Sequence, residues 1–384
     1  MTPQARLQAA IELVDGILAA AEAGGAAADT LIARYFKTRR YAGSKDRRAV
    51  RELVFRAIRR AGEAPFSGRA ALLGLEDQVA LFDGSPHGPA PVAEGEMTAP
   101  AGIAPAWLLE RFDPLVGADE RPALLERAPL DVRINRLRSA PNELDATATP
   151  HSPIGLRFPE GTQVEQLDAW RAGQIEIQDE GSQLICLACA AKPGQRAIDL
   201  CAGAGGKTLA LAADMANEGR LTAADSDRGR LSRLPPRAER AGATIVETRL
   251  LDPGKEAEAL ADLTSQADLV LVDAPCSGSG TWRRNPETRW RIYPDRLMRL
   301  TALQARLLDL GGTLLRPGGI LVYAVCSLLA EEGRDQAAAF TARSGLLPET
   351  VPIGAGRAAG TGLLLTPGHD GTDGFFVARW QRPC

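Results

Sequence analysis

Apolar residues recur at helical spacing through the N-terminal region and change to strand-like runs further along the chain. Leu7, Ile11, Val14 and Leu18 share one helical face behind Thr2, a good cap, and Pro3, which suits a first helical position. Leu31, Ile32, Tyr35 and Phe36 predict a second helix. A third is expected to start at Ser44 as its cap, with Val50, Leu53, Val54, Ala57 and Ile58 inward and the arginines outward. Residues 1–83 are read as an all-helical domain, and 84–105, dense in Pro and Gly, as a connector. Over 106–177 a helix around Trp107, Leu108 and Phe112 is followed by short strands, with Val132 and Ile134 alternating with Arg133 and Asn135, so a small α+β subdomain is expected. From 178 to 384 the order becomes strand, Gly-rich turn, helix, repeated. Strands are predicted at 196–201, 220–225, 243–248, 267–273 and 319–326, the signature of an α/β, mainly parallel, doubly wound sheet.

Composition narrows the classes. With 45% apolar and 24% charged residues the 384-residue chain is not disordered as a whole, and its length implies more than one core at ~150 residues per domain. It has no run of ~18 uncharged apolar residues, and Arg6, Glu12 and Asp15 interrupt its start, so neither a membrane span nor a signal peptide is expected and the cytoplasm is the expected compartment. Six scattered cysteines are too few for a disulfide scaffold, and three isolated histidines argue against zinc hydrolysis or a His-dependent triad. Cys186 and Cys189 form C-x-x-C without a second pair, which favours core packing; no metal is expected. Net charge is −3, yet residues 34–60 hold eleven basic side chains against Asp46 and Glu52. Such a patch binds a polyanion locally, or it is a solvated helix face. The run Trp282-Arg283-Arg284 with Trp290-Arg291 has two readings as well: base stacking with phosphate pairing, or a surface loop with buried tryptophans.

Three segments carry the chemistry. Ala197–Thr208, AIDLCAGAGGKT, is a strand entering a glycine turn and a helix. A phosphate-cradling loop would need glycine where Cys201 stands, so it fails at its first position. A nucleoside cofactor fits better, because Asp225 closes the next strand at the distance expected of a ribose-binding acid, and S-adenosylmethionine suits the pattern better than NAD. The second segment runs from Leu269 to Gly280, delivering Asp273, Pro275 and Cys276 from a strand end; the third, Gly319–Ser327, ends in Cys326. A free cysteine is most often a small buried hydrophobe, but two thiols at predicted strand ends beside a cofactor turn point to chemistry.

These residues resemble the RNA cytosine-5 methyltransferases of the NOL/NOP/Sun group, and within it the bacterial small-subunit ribosomal RNA enzymes of RsmB (Sun) type. Arg39–Arg48 resembles their NusB-like RNA-binding domain, and Pro105–Leu108, Arg133–Asn135 and Gln178–Gln183 resemble their connecting segments. Cys201–Thr208, Asp273–Gly280 and Tyr323–Ser327 match their sheet motifs, and Thr372–Phe376 matches their closing strand. The resemblance implies a Rossmann-like S-adenosylmethionine-dependent methyltransferase sheet behind a helical NusB-like domain. It implies Cys326 as the nucleophile on carbon 6 of a cytosine, Asp273 as hydrogen-bond partner and proton donor to ring nitrogen 3, and Cys276 as the group assisting release. Lys207 would favour a nearby thiolate by its charge. The cofactor would lie on Cys201, Ala202, Gly203, Ala204, Gly205, Gly206 and Lys207, with Asp225 on its ribose and Asp273 at its edge. RNA, single-stranded or locally opened, would meet Arg39, Arg40, Lys45, Arg47, Arg48, Arg283 and Arg284. A monomer is expected. Three departures stand out: Ala202-Gly203-Ala204 replaces the usual Ala-Ala-Pro, Glu331-Glu332-Gly333 follows the nucleophile, and Thr248-Arg249 stands where an acid usually reads adenine, with Asp252 the nearest substitute. They keep open a second class, a non-catalytic RNA-binding or ribosome-assembly factor on the same fold. A P-loop NTPase is the third.

Overall fold

A computed structural model describes residues 1–384. The chain folds into two compact units, neither of them contiguous in sequence: one comprises residues 1–112, 121–126 and 277–296, the other 113–120, 127–276 and 297–384. Boundaries drawn along the sequence at 83, 105 and 177 therefore do not coincide with the compact units, because the 277–296 excursion folds with the N-terminal helices.

The first unit is built on four helices, α1 (Pro3–Glu22), α2 (Ala28–Thr38), α3 (Ser44–Arg60) and α4 (Gly68–Leu73). Thr2 caps α1 by accepting from the Ala5 amide at 3.1 Å, with Pro3 in the first turn. Ser44 is not the cap of α3. It is the first helical residue, and the cap position is Gly43, whose amide donates to the Asp46 carboxylate at 3.2 Å. Leu7, Val14, Ile17, Val50, Val54 and Ile58 make the shared core. The Pro/Gly-rich stretch is ordered along this unit by main-chain bonds, from Ala99 N–H to Ala70 and from Gly102 N–H to Arg60.

The 277–296 excursion supplies this unit with polar anchors. Glu287, buried, accepts from the Ala28 amide at 2.9 Å and so caps α2. The fully buried Arg289 guanidinium donates to the carbonyls of Ile58, Arg59 (3.2 Å), Ala61 (2.7 Å) and Ile103 (2.8 Å), satisfying the end of α3. Burial lowers its pKa to about 9, which leaves it charged at neutral pH. Arg291 donates to the carbonyls of Gly25 and Ala26, both at 2.7 Å. Trp282 is fully buried against Phe112, with ring centroids 5.7 Å apart. The stacking reading of this run is thereby corrected: burial removes Trp282 from any base and Arg283 from any phosphate, and Arg284 is half-buried.

The second unit contains two sheets. A small antiparallel one has the order β2 (Thr147–Ala148), β3 (Gly155–Phe158), β1 (Leu130–Ile134), β4 (Ile175–Ile177). Asn135 ties it to the helix Leu234–Ala241 by donating to the carbonyls of Gly173 and Ala241. The large sheet has nine strands. β5 (Arg196–Asp199), β6 (Arg220–Asp225), β7 (Val246–Leu250), β8 (Ala267–Asp273) and β9 (Leu315–Val325) are parallel in the order β7-β6-β5-β8-β9. The strand predicted at 243–248 spans 246–250 instead, starting three residues later. β13 (Phe375–Gln381) continues the sheet antiparallel to β9, followed by β12 (Gly362–Leu365) and β11 (Arg357–Ala359), while β10 (Leu347–Glu349) pairs with β13. The sheet is thus mixed. No helix is long and apolar enough to cross a membrane.

Candidate active site

The site follows from strand direction. After β5 the chain adds β6 and β7 on one side and then returns to place β8 and β9 on the other, which puts a switch point between β5 and β8. Because these strands are parallel, the residues after β5, β6, β8 and β9 all emerge at one rim.

The glycine turn leaves β5 and enters the helix Gly206–Asp214. Gly205 has φ +85°, and a Cβ there would lie 2.0 Å from Leu234 Cδ1, so both backbone conformation and space demand glycine. Asp225, at the end of β6, accepts from the Gly203 amide and the Asp227 amide, each at 2.7 Å. Each of its oxygens keeps a further lone-pair direction for a ribose hydroxyl. The amides of Ala202, Gly203 and Gly205 are therefore spent on Ala224, Asp225 and Ala202, and the amides of the first helical residues from Gly206, which have no acceptor within their own helix, are the ones a ligand would use. These observations fit S-adenosylmethionine in the cradle from Cys201 to Lys207. Arg249, on β7, pairs with Asp262 and donates to the Ala259 carbonyl at 3.0 Å, so its charge is used locally; Asp252 is exposed just past Leu251, whose amide donates to the Asp225 carbonyl.

Asp273 ends β8 beside Ala324 of β9, and its carboxylate accepts from Lys207 Nζ at 2.6 Å. Burial is the largest single influence on Lys207 and acts to lower its pKa, but the Asp273 carboxylate together with Cys186 and Cys326 outweighs it and the net direction is up, so the ammonium is retained. Cys276 and Cys326, fifty positions apart, bring their sulfur atoms to 3.4 Å, and both residues are half-buried rather than sealed in the core. The structure thus gathers Lys207, Asp273, Cys276 and Cys326 at one rim with the glycine turn and Asp225.

The other thiols are placed differently. Cys186 and Cys189 are buried on the helix Glu180–Cys189, where each S–H donates to a carbonyl one turn back, and burial pushes Cys186 up to about 12 and Cys189 well above its usual value. Cys201 is likewise held as a thiol, by burial first and then by the carboxylates of Asp199, Asp273 and Asp225. Two polar groups near the rim were not singled out from sequence. Asp199 is fully buried, accepts from Thr208 Oγ1 at 2.7 Å, and is raised by burial to about 7. Gln304, fully buried on the helix Pro294–Leu314, donates to the Pro275 carbonyl at 2.9 Å. A lone glutamine within an amphipathic helix carries no signal of such a role.

Strand order and the groups at the rim together define a Rossmann-like methyltransferase fold. Residues 186–381 match the family model described as 16S rRNA methyltransferase RsmB/F, and the chain belongs to that family. It is 35% identical over 298 residues to the ribosomal RNA small subunit methyltransferase B of Xylella fastidiosa strain 9a5c, covering 72% of this chain and 68% of that protein. It is also 35% identical over 289 residues to the protein of the same name from Xanthomonas campestris pv. campestris, covering 71% of this chain. That match spans 65% of the Xanthomonas protein, just under two thirds of its length. Among solved structures, a methyltransferase homolog protein from Pyrococcus horikoshii superposes with a TM-score of 0.64 at 26% identity, over 73% of this chain and 96% of that one.

Proposed function

We propose that the chain methylates carbon 5 of a cytosine in RNA, within small-subunit ribosomal RNA, through a covalent adduct between Cys326 and carbon 6 of the base. The observation that carries this reading is the 3.4 Å approach of two half-buried sulfur atoms next to the Lys207–Asp273 pair. Carbon 5 of cytosine is a poor nucleophile, and addition of the Cys326 thiolate to carbon 6 makes it an enamine carbon. Bound S-adenosylmethionine supplies the electrophilic methyl group on a sulfonium sulfur. Asp273 and Lys207 act as a pair on ring nitrogen 3: Asp273 orients the edge of the base, and the Lys207 ammonium 2.6 Å from it serves as the proton source. Once carbon 5 is methylated, the Cys276 thiolate takes its remaining proton and ring nitrogen 3 returns its own proton to Lys207. The electrons of that C–H bond reform the 5,6 double bond as the carbon 6–sulfur bond breaks, regenerating the Cys326 thiolate.

The target base must leave its stack to reach this rim. Of the basic residues assigned to RNA, Arg39 stacks over Tyr35 at 3.6 Å and lies 3.5 Å from Glu12, while Arg47 donates to the Ala42 carbonyl at 2.9 Å. Arg40, Lys45 and Arg48 are exposed and are the side chains we assign to phosphate contact.

Purified chain with small-subunit RNA and radiolabelled methyl donor tests the proposal. Cys326→Ala should abolish transfer, and Cys276→Ala should accumulate a denaturant-stable protein–RNA adduct. Wild-type transfer by Cys326→Ala would overturn it. RNA binding without S-adenosylmethionine binding by calorimetry would favour the non-catalytic assembly factor.

A further inference from the structure

The two thiols stand on separate loops, one leaving β8 and one leaving β9, and two strand ends do not by themselves fix a sulfur–sulfur distance. Behind them runs a buried polar chain. Ser327, next to Cys326, donates its hydroxyl to Glu332 Oε2 at 2.6 Å. Glu332 Oε1 accepts from Gln304 Nε2 at 3.0 Å, and the same nitrogen donates to the Pro275 carbonyl at 2.9 Å. That carbonyl belongs to the peptide unit whose other half is the Cys276 amide, so holding it orients the plane from which the Cys276 side chain departs. Ser327, Glu332 and Gln304 are all fully buried, and the Glu332 main chain is held as well, its carbonyl accepting from Tyr323 OH at 2.6 Å.

The position of Gln304 follows from helix packing. Gln304, Leu308 and Gly311 recur on one face of the helix Pro294–Leu314, and a Cβ on Gly311 would lie 2.8 Å from Leu321 and 3.1 Å from Val272, so this face presses directly on β9 and β8. The amide orientation is dictated by its partners. Both are acceptors, so the nitrogen must face them, and Oε1 is left without a hydrogen-bond partner. A carboxylate at 304 would set acceptor against acceptor at both contacts.

We propose that Gln304 and Glu332 are positioning residues that clamp the two cysteine loops together and thereby set the separation of Cys276 and Cys326. The inference rests on the proposed use of those thiols, but the separation is measurable without methyl transfer. In the 384-residue chain carrying Cys384→Ser, the diazene oxidant diamide accepts two electrons and two protons from a pair of neighbouring thiols, becoming the hydrazine as the disulfide forms. The rate of Cys276–Cys326 disulfide formation, read by peptide mass spectrometry, reports how often the sulfurs meet. Gln304→Glu and Glu332→Leu, which each break the chain, should slow it by about tenfold or more, since a displacement near 1 Å can cost a factor of that size or larger. Gln336→Leu serves as control: Gln336 is also buried and donates to the Thr301 carbonyl at 2.5 Å, but it lies outside the chain, and its loss should leave the rate unchanged. In methyl transfer the clamp variants should lose kcat with KM for RNA preserved. Cross-linking at the parent rate in both clamp variants, or equal slowing in Gln336→Leu, would overturn the clamp. Absence of methyl transfer with cross-linking slowed as expected would instead count against the proposed reaction and leave the clamp standing.

Discussion

Asp199 offers a quantitative test of how the sheet core tolerates charge at the cofactor rim. Its carboxyl is fully buried at the end of β5 and is raised from an ordinary 3.8 to about 7, by burial first and further by the Asp273 and Asp225 carboxylates, against the lowering effect of Thr208 and Lys207. As pH rises above 3.8 the unfolded chain releases this proton while the folded chain keeps it until about 7, so the folded state binds more protons in that window and stability falls with rising pH. Fully developed above pH 7, the cost is about 4 kcal/mol, at 1.4 kcal/mol per tenfold; between pH 5.5 and 8.5 the part still to be lost is about 2 kcal/mol. Asp199→Asn keeps an acceptor for Thr208 Oγ1 and has no proton to lose. Urea unfolding of both proteins in steps from pH 5.5 to 8.5 should show the wild type losing about 2 kcal/mol relative to the variant across that range. Parallel pH dependences would refute the reasoning, because they would mean that the folded chain, like the unfolded one, already carries Asp199 charged across this range.

Other consequences concern the helical unit. Arg289→Met should destabilise it by about 3 kcal/mol or more, since four main-chain carbonyls lose a charged donor inside a sealed core. Hydrogen exchange should place the loss at the C-terminal end of α3, and unchanged protection there would exclude the capping role. Replacing Arg40, Lys45 and Arg48 together by Ala should weaken RNA binding across sequences and flatten the slope of log affinity against log salt by about 2. An unaltered slope would return this cluster to the status of a solvated face.

Much of this molecule is legible in residue order, and the reason is local. A helix or strand is selected by the periodicity of its own side chains, so α1, the alternation of Val132 and Ile134, and the buried runs of β8 and β9 could all be read from spacing. The glycine turn was legible too, because only a residue without a Cβ accepts the backbone conformation and the contact with Leu234 at Gly205. The basic run after Cys276 shows where such reading stops. Charge spacing cannot tell a guanidinium meant for phosphate from one that caps a helix more than two hundred residues earlier, and Arg289 does the latter.

Residue order alone pointed to most of the elements, carried the family motifs and named the candidate reacting groups. Tertiary structure decided that sulfurs fifty positions apart stand 3.4 Å from one another, that Lys207 spends its charge on Asp273, and that Gln304 reaches the peptide before Cys276. Hydrogen bonds and ion pairs act over about 3 Å, and distances of that kind between remote residues exist only after strand order and direction have been set by the whole core.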